Sequence, residues 1–358
     1  MQVRTISMRN MSAMVTLIIL SGLLMNGFGA VAHDMWIAVI VAAVMAIPFM
    51  LLYSRIAAIF PGHGLYDIAA IVLGKWFCSI ITLLITWYSL HVATIVARNF
   101  SEFIATISLH TTPRIFIVLC ILATAGYLAS CGFNNMGKWS IVVFTICLVS
   151  YLFTFFCSFS VMDMSNLLPI MEHSPKEIFS SAFSLFASSF GEIMVVLVAF
   201  SRLRKGSSPY KIYFIGILLG FILLLLAAVR NAAVLGHAMM SLSSFPSYIT
   251  ARIIQPGSFL ENIESILSFS MVLIGITKIA VCLRAASIGC AKLLKFESKD
   301  RRLIIPLCLL SAALCILGPS NIQDLADFAI VYRYYSLFFI LFIPLIIWFA
   351  AEIKSAKL

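Results

Sequence analysis

The strongest constraint on this chain is the recurrence of apolar runs along its whole length, each about as long as a bilayer is thick. The 358 residues are 62% hydrophobic and only 11% charged, against about 45–50% and about 25% in ordinary soluble domains. Too little polar sequence remains to cover a globule, so the runs predict an all-α polytopic membrane protein. Each run must be a helix, because a bilayer offers no water to unpaired backbone groups and the runs lack the alternation of barrel strands. About 20 residues cross the hydrocarbon. On that ruler, ten spans are expected near 11–32, 35–57, 76–100, 113–131, 139–160, 178–200, 211–235, 263–287, 303–319 and 333–351, in one transmembrane domain over 1–358.

Charge tests this division independently, since Lys and Arg accumulate in short cytoplasmic loops. With both termini inside, 17 of the 24 basic residues are cytoplasmic, six are outside (Arg98, Arg114, Lys176, Arg230, Arg252 and Arg333), and Lys278 stays within a span. That bias favours an even number of spans. The net charge of +10 therefore reads as topology and gives no reason to expect nucleic acid. The basic stretch from Arg284 to Arg302 also suits contact with membrane lipid carrying anionic headgroups. The nine cysteines show no paired metal spacing and read as packing residues, so neither metal nor cofactor is expected. Arg4 and Arg9 precede an apolar run ending in Ala30-Val31-Ala32, as in a secretory signal, but such apolar regions run about 7–15 residues and this one fills a span.

Within the sixth run, Ser180–Phe200, Glu192 is the sole charge. A central acidic side chain costs roughly 2.5–3.5 kcal/mol to insert, so one that persists faces a bundle interior, a cavity or a polar partner. It lies ten residues before Arg202, roughly 15 Å at 1.5 Å per residue, too deep to snorkel. Three roles stay open: proton carrier, counter-ion for a ligand ammonium or for Lys278, and structural hydrogen-bonding residue. Lys278 precedes Arg284 by six residues; it either snorkels to the interface or acts as a buried cation near span one.

Two spans carry small-residue interruptions. Span one contains Ser21, Gly22, Asn26, Gly27 and Gly29; span six contains Ser188, Ser189 and Gly191 just before Glu192. Small residues in membrane helices ordinarily serve packing. In a ten-span chain, however, spans one and six are the first helices of two five-helix halves, about 11–160 and 178–351, and interruptions at matched positions point to an inverted repeat with its site at the breaks. Span three adds Trp87, Tyr88, Ser89, His91 and Thr94 as one wall of a pocket or as aromatic packing. Arg98 and Glu102 read as an interfacial pair. The segment Met240–Asn262, with Pro246 and Pro256, reads as an external lid bearing a short amphipathic helix. No zinc-protease, nucleophile-elbow, Walker or dinucleotide motif is present, which favours binding or transport over catalysis.

Several short blocks add a family likeness: Asp34-Met35-Trp36-Ile37-Ala38, Pro61-Gly62-His63-Gly64-Leu65, Asn166-Leu167-Leu168-Pro169-Ile170, Ser189-Phe190-Gly191-Glu192 and Phe259-Leu260-Glu261-Asn262-Ile263-Glu264-Ser265. In these the chain resembles the B subunits of GerA-type nutrient germinant receptors of endospore-forming bacteria, in the amino acid–polyamine–organocation superfamily. The resemblance implies a LeuT-like 5+5 inverted repeat with broken helices 1 and 6, in the spore inner membrane, acting with an A subunit and a C-subunit lipoprotein. It implies a small nutrient ligand such as an amino acid. Together these readings predict a ligand site at Gly22, Asn26, Gly27, Gly29, Tyr88, Ser188, Ser189, Gly191 and Glu192, with Glu192 or Lys278 as coupling or proton candidate. The rivals are a proton-coupled amino acid transporter, a water or ion conduit of the germination complex, and a scaffold that binds nothing.

Overall fold

The structure is a computed structural model that describes residues 5–22, 31–254, 263–318 and 322–356. Its elements are helical throughout. They run α1 (Met8–Leu20), α2 (Met35–Ile59), α3 (Leu65–Val72), α4 (Gly74–Ile107), α5 (Arg114–Ser130), α6 (Phe133–Ser158), α7 (Pro175–Leu185), α8 (Pro209–Leu242), α9 (Pro246–Ile253), α10 (Ile263–Leu293), α11 (Ile304–Leu317), α12 (Ile322–Leu337) and α13 (Ile343–Ser355). A π turn at Phe186–Phe190 and a 3-10 segment at Gly191–Arg202 continue α7, and a π turn at Phe338–Phe342 joins α12 to α13. Seven helices among the described residues are long and apolar enough to cross a membrane. The first, fourth and ninth expected spans correspond to the shorter helices α1, α5 and α11.

Helix starts follow the local sequence. Ser7 caps α1 by accepting from the Asn10 amide at 3.3 Å. Ser174 and Glu177 form a reciprocal capping box at α7, with Pro175 at the first turn, where a missing amide costs nothing. Small residues then set how closely helices approach. A Cβ on Gly216 or Gly220 of α8 would stand 2.6 and 2.8 Å from Val15 and Ile19 of α1, so α1 lies directly against α8, as small-residue interfaces allow. Gly275 of α10 faces the Phe100 ring of α4 in the same way.

The described part of the first expected span packs against the sixth in the core. Every residue from Met11 to Gly22 is buried, as is every residue from Leu185 to Phe200, and α1 touches both the π turn and the 3-10 segment. Their ends are tied at one face of the bundle: the Ile6 amide donates to the Arg202 carbonyl at 2.7 Å and the Arg204 amide to the Ile6 carbonyl at 3.0 Å. Residues Asn26, Gly27 and Gly29 lie outside the described residues, so the break expected in span one does too. In span six the backbone keeps right-handed helical angles through Phe190 and Gly191; the chain changes helical class there and does not unwind.

Three expectations are corrected. The last apolar helix extends over Gln323–Ser355, where the sequence suggested a start near 333. Arg333, counted as an outer charge, lies inside this helix and donates to Ser180 and Ser184 of α7 at 2.5–3.2 Å. Arg230, counted as an outer charge, is buried and donates to Thr154 Oγ1 at 2.8 Å and Asn231 Oδ1 at 2.9 Å. Arg98 and Glu102 do pair, at 2.7 Å, but within the protein, with Arg114 reaching the second carboxylate oxygen at 3.0 Å. The short helix expected in the segment Met240–Asn262 is present as α9. It packs Phe245 and Tyr248 on the Phe103 ring and leaves Ile253 exposed, against the apolar face expected there.

Candidate functional site

Glu192 sits where the π turn gives way to the 3-10 segment, and such local changes of helical register recur at functional sites. Its carboxylate is buried and forms an ion pair with Lys278 of α10 and accepts a hydrogen bond from the hydroxyl of Tyr332 in α12. Lys278 also donates to the Ser188 carbonyl at 3.1 Å. The ammonium therefore points inward, and of the two readings of Lys278 the buried one describes its position. One cation, one anion and one hydroxyl from three separate helical segments meet at a single point in the core. Both charges are compensated, as burial of charge requires.

The surrounding residues hold this cluster in place. Gly191 lies close to the second π turn, since a Cβ there would stand 2.5 Å from the Ile340 Cδ1 methyl. Tyr53 of α2 donates to the Ile340 carbonyl at 2.6 Å, fixing that turn. Tyr88 of α4 stacks on Phe339 with centroids 4.7 Å apart and planes 9° apart, an offset face-to-face geometry favourable for aromatic pairs. Glu192 thus follows the first π turn directly, and the second, held by Tyr53 and Tyr88, packs against the 3-10 segment that carries it.

Of the residues singled out from sequence, Tyr88, Ser188, Gly191, Glu192 and Lys278 come together. Ser188 contributes its carbonyl, since its hydroxyl donates to Ser184 O at 2.9 Å. The Ser189 hydroxyl is buried without a hydrogen-bond partner. Gly22 is buried at the end of α1. His91 stacks on Trp87 at 5.7 Å and meets Phe328 and Tyr335 edge-on, in aromatic packing. Tyr332 was missed. It lies one residue before the start assigned to the last span, and its signal was the run Tyr332-Arg333-Tyr334-Tyr335, polar aromatics that a solvent loop would not need.

A second feature opens at the face where Ile6 meets Arg202. A cavity of about 420 Å³ lies between the start of α6, the end of the 3-10 segment and the end of α10, lined by Gly132, Arg202, Arg284, Lys292, Asp300 and Arg301 among others. Arg284 donates to Asp300 at 2.5 Å, and Lys292 to Asp67 at 2.5 Å. It lies apart from the Glu192 cluster.

Comparison with known proteins places this geometry. Over 94% of the chain and 76% of its own, the fold matches the structure of Mhp1, a nucleobase-cation-symport-1 family transporter solved in a closed conformation with bromovinylhydantoin bound, with a TM-score of 0.63 at 12% identity. The chain is 23% identical to spore germination protein KB of Bacillus subtilis (strain 168), over 100% of this chain and 97% of that one. It is 24% identical to spore germination protein A2 of the same organism, over 90% and 87%. The family model for spore germination proteins of the spore permease type matches residues 5–325. With helices of membrane-spanning length, a transporter fold and a family match over most of its length, the chain is an integral membrane protein that belongs to the spore permease family of spore germination proteins.

Proposed function

We propose that this protein is the nutrient-sensing membrane subunit of a germinant receptor, and that Glu192 and Lys278 form its ligand-operated latch. The observation that carries the reading is the buried Glu192–Lys278–Tyr332 cluster beside two π turns. A resting ion pair inside a bundle is a two-state element: a ligand ammonium that takes the place of Lys278 at Glu192 frees Lys278 and the helix that carries it. The ligand is a small zwitterion such as an amino acid. Its carboxylate meets the released Lys278 ammonium, a charge-assisted contact. Because only differential affinity moves an equilibrium, the ligand acts by binding the opened state more tightly.

In this reading the chain has ten spans in a LeuT-like 5+5 inverted repeat. The three shorter apolar helices count as crossings, and both termini are cytoplasmic in the spore inner membrane. The A subunit and the C-subunit lipoprotein detect the opened state; the protein is not an enzyme. The likeness to the fold of a symporter supports one rival, a proton-coupled amino acid transporter using the same cluster.

The test is thermal unfolding of the purified chain against amino acids, sugars and nucleosides, alone and with partner subunits. A ligand at 100 times its Kd stabilises by about 2.7 kcal/mol, and the hit should vanish in Glu192→Gln. No hit in either setting sinks the sensor reading. Accumulation of labelled ligand by vesicles carrying this chain alone decides for the transporter.

A further inference from the structure

We propose a transition-metal site of the zinc type at the end of the bundle opposite the Ile6–Arg202 tie, with His33, His237 and Glu172 as its ligands and His173 beside them. These residues come from three distant parts of the chain: the turn before α2, the segment before α7 and the end of α8. One donor atom from each of His33, Glu172 and His237 lies within 4.8 Å of the others. The His173 ring joins them, with centroids 5.8 Å from His33 and 5.7 Å from His237.

The hydrogen bonds around the cluster settle which nitrogens face inward. His33 Nε2 is 3.0 Å from the Pro169 carbonyl and 3.5 Å from Glu172 Oε2. Both of those oxygens accept, so Nε2 carries the proton and Nδ1 presents a bare lone pair. That lone pair faces His237 Nδ1 at 3.2 Å. The two nitrogens stand at hydrogen-bond distance, and two ligand nitrogens about 2.05 Å from one tetrahedral zinc ion stand roughly 3.3 Å apart, so an ion can take the place of the shared proton with little movement. Glu172 Oε2 lies 3.9 Å from His237 Nδ1 on a half-exposed side chain, close enough to bring an oxygen in by rotation.

The outer partners match what a metal site needs. Histidine ligands ordinarily give their second N–H to a carbonyl or carboxylate, which fixes ring orientation. Pro169 does this for His33, and Asp34 holds the segment that carries Glu172, accepting from the amides of Met171 and His173 at 3.0 and 3.1 Å and from His173 Nδ1 at 3.0 Å. Gly236 turns the end of α8 with a φ of 64° and a ψ of 178°, a combination essentially confined to glycine, next to His237 of the cluster. His33 is buried while His237 and Glu172 are about half exposed, which leaves an entry path. Imidazole and carboxylate donors suit zinc and its neighbours over magnesium or calcium. An ion here would clamp α2, α7 and α8 at one end, away from Glu192.

The experiment is titration of the purified full-length protein with Zn²⁺ against a chromophoric chelator, with Mg²⁺ as comparison. The expected result is one Zn²⁺ per chain, no displacement by Mg²⁺, and affinity at least about 100-fold weaker in His237→Ala and in Glu172→Gln, both at accessible positions. Asp34→Asn should weaken binding by about 10-fold, because it loosens the Met171–His173 segment that positions Glu172. Co²⁺ in place of Zn²⁺ should give a visible absorption band that His237→Ala abolishes. Absence of stoichiometric binding, or binding unchanged in both His237→Ala and Glu172→Gln, overturns the site. The buried His33 need not be altered, so failure to fold does not confuse the outcome.

Discussion

Removing one charge of the Glu192–Lys278 pair should cost far more than removing both. In Lys278→Met, Glu192 keeps the Tyr332 hydroxyl as a neutral donor; in Glu192→Gln, Lys278 keeps the Ser188 carbonyl as a neutral acceptor. Each single variant leaves a lone charge in the core, where a central charge costs roughly 2.5–3.5 kcal/mol and breaking a buried pair costs about 3–5. We therefore expect about 3 kcal/mol of destabilisation from each, roughly a hundredfold in the folded-to-unfolded ratio. The double variant carries no charge there and should fall within ~1.5 kcal/mol of the parent, because neutral replacements of similar size are often tolerated. The cycle then gives a coupling energy of about 4.5–6 kcal/mol, read from denaturant unfolding in mixed micelles. Singles within ~0.5 kcal/mol of the parent, or a double variant equal to their sum, would show that the two charges do not depend on each other. The ligand-operated latch would then lose its basis.

Other perturbations probe the same framework. Tyr332→Phe removes a hydrogen bond to a charged group and should destabilise by about 1.5–3 kcal/mol; an unchanged unfolding midpoint would place that hydroxyl elsewhere. Gly275→Ala sets a Cβ 2.5 Å from the Phe100 ring and should cost about 1–3 kcal/mol by overpacking. Gly126→Ala meets only the Cys308 thiol at 2.7 Å, which can rotate away, so its smaller effect in the same assay is the check. Glu102→Gln removes the carboxylate shared by Arg98 and Arg114 and should cost ~3 kcal/mol. Arg114→Ala, at a half-exposed position, should change stability by less than ~1 kcal/mol.

What was legible in the sequence follows from depth in the membrane. Glu192 stood out because a lone carboxylate in an apolar run has few physical excuses, and the neighbouring Ser188, Ser189 and Gly191 marked the change of helical class. Lys278 was ambiguous because a lysine six residues from a helix end can point either way; only the fold shows that Glu192 lies within its reach. Tyr332 and Arg333 were hidden by the opposite error, in which polar residues that are satisfied inside the bundle read as loop. The burial of Arg230 was not legible either, as its partners Thr154 and Asn231 are neutral and carry no charge signature. The histidine cluster was invisible, since His33, His173 and His237 have no common spacing and meet only through tertiary packing. Cysteine spacing, the metal signal sought in the sequence, had no bearing on it.

The resting ion pair also constrains what kind of ligand can operate it. A simple amine can replace Lys278 at Glu192, but it leaves the displaced ammonium buried without a carboxylate. A simple carboxylic acid can satisfy Lys278 and leaves Glu192 bare. Either single-charged ligand therefore carries about the penalty of a broken buried pair, roughly 3–5 kcal/mol, or a factor of more than a hundred in affinity. A zwitterion offers both charges at once and leaves neither partner uncompensated, which favours α-amino acids over amines, acids and uncharged sugars of similar size. Comparing alanine with ethylamine and propionate in thermal unfolding tests this directly. Alanine, or another amino acid of fitting side chain, should stabilise at concentrations where the other two do nothing. If ethylamine stabilised as well as the amino acid, Lys278 would not be the group displaced, and the site would bind its ligand without disturbing the pair.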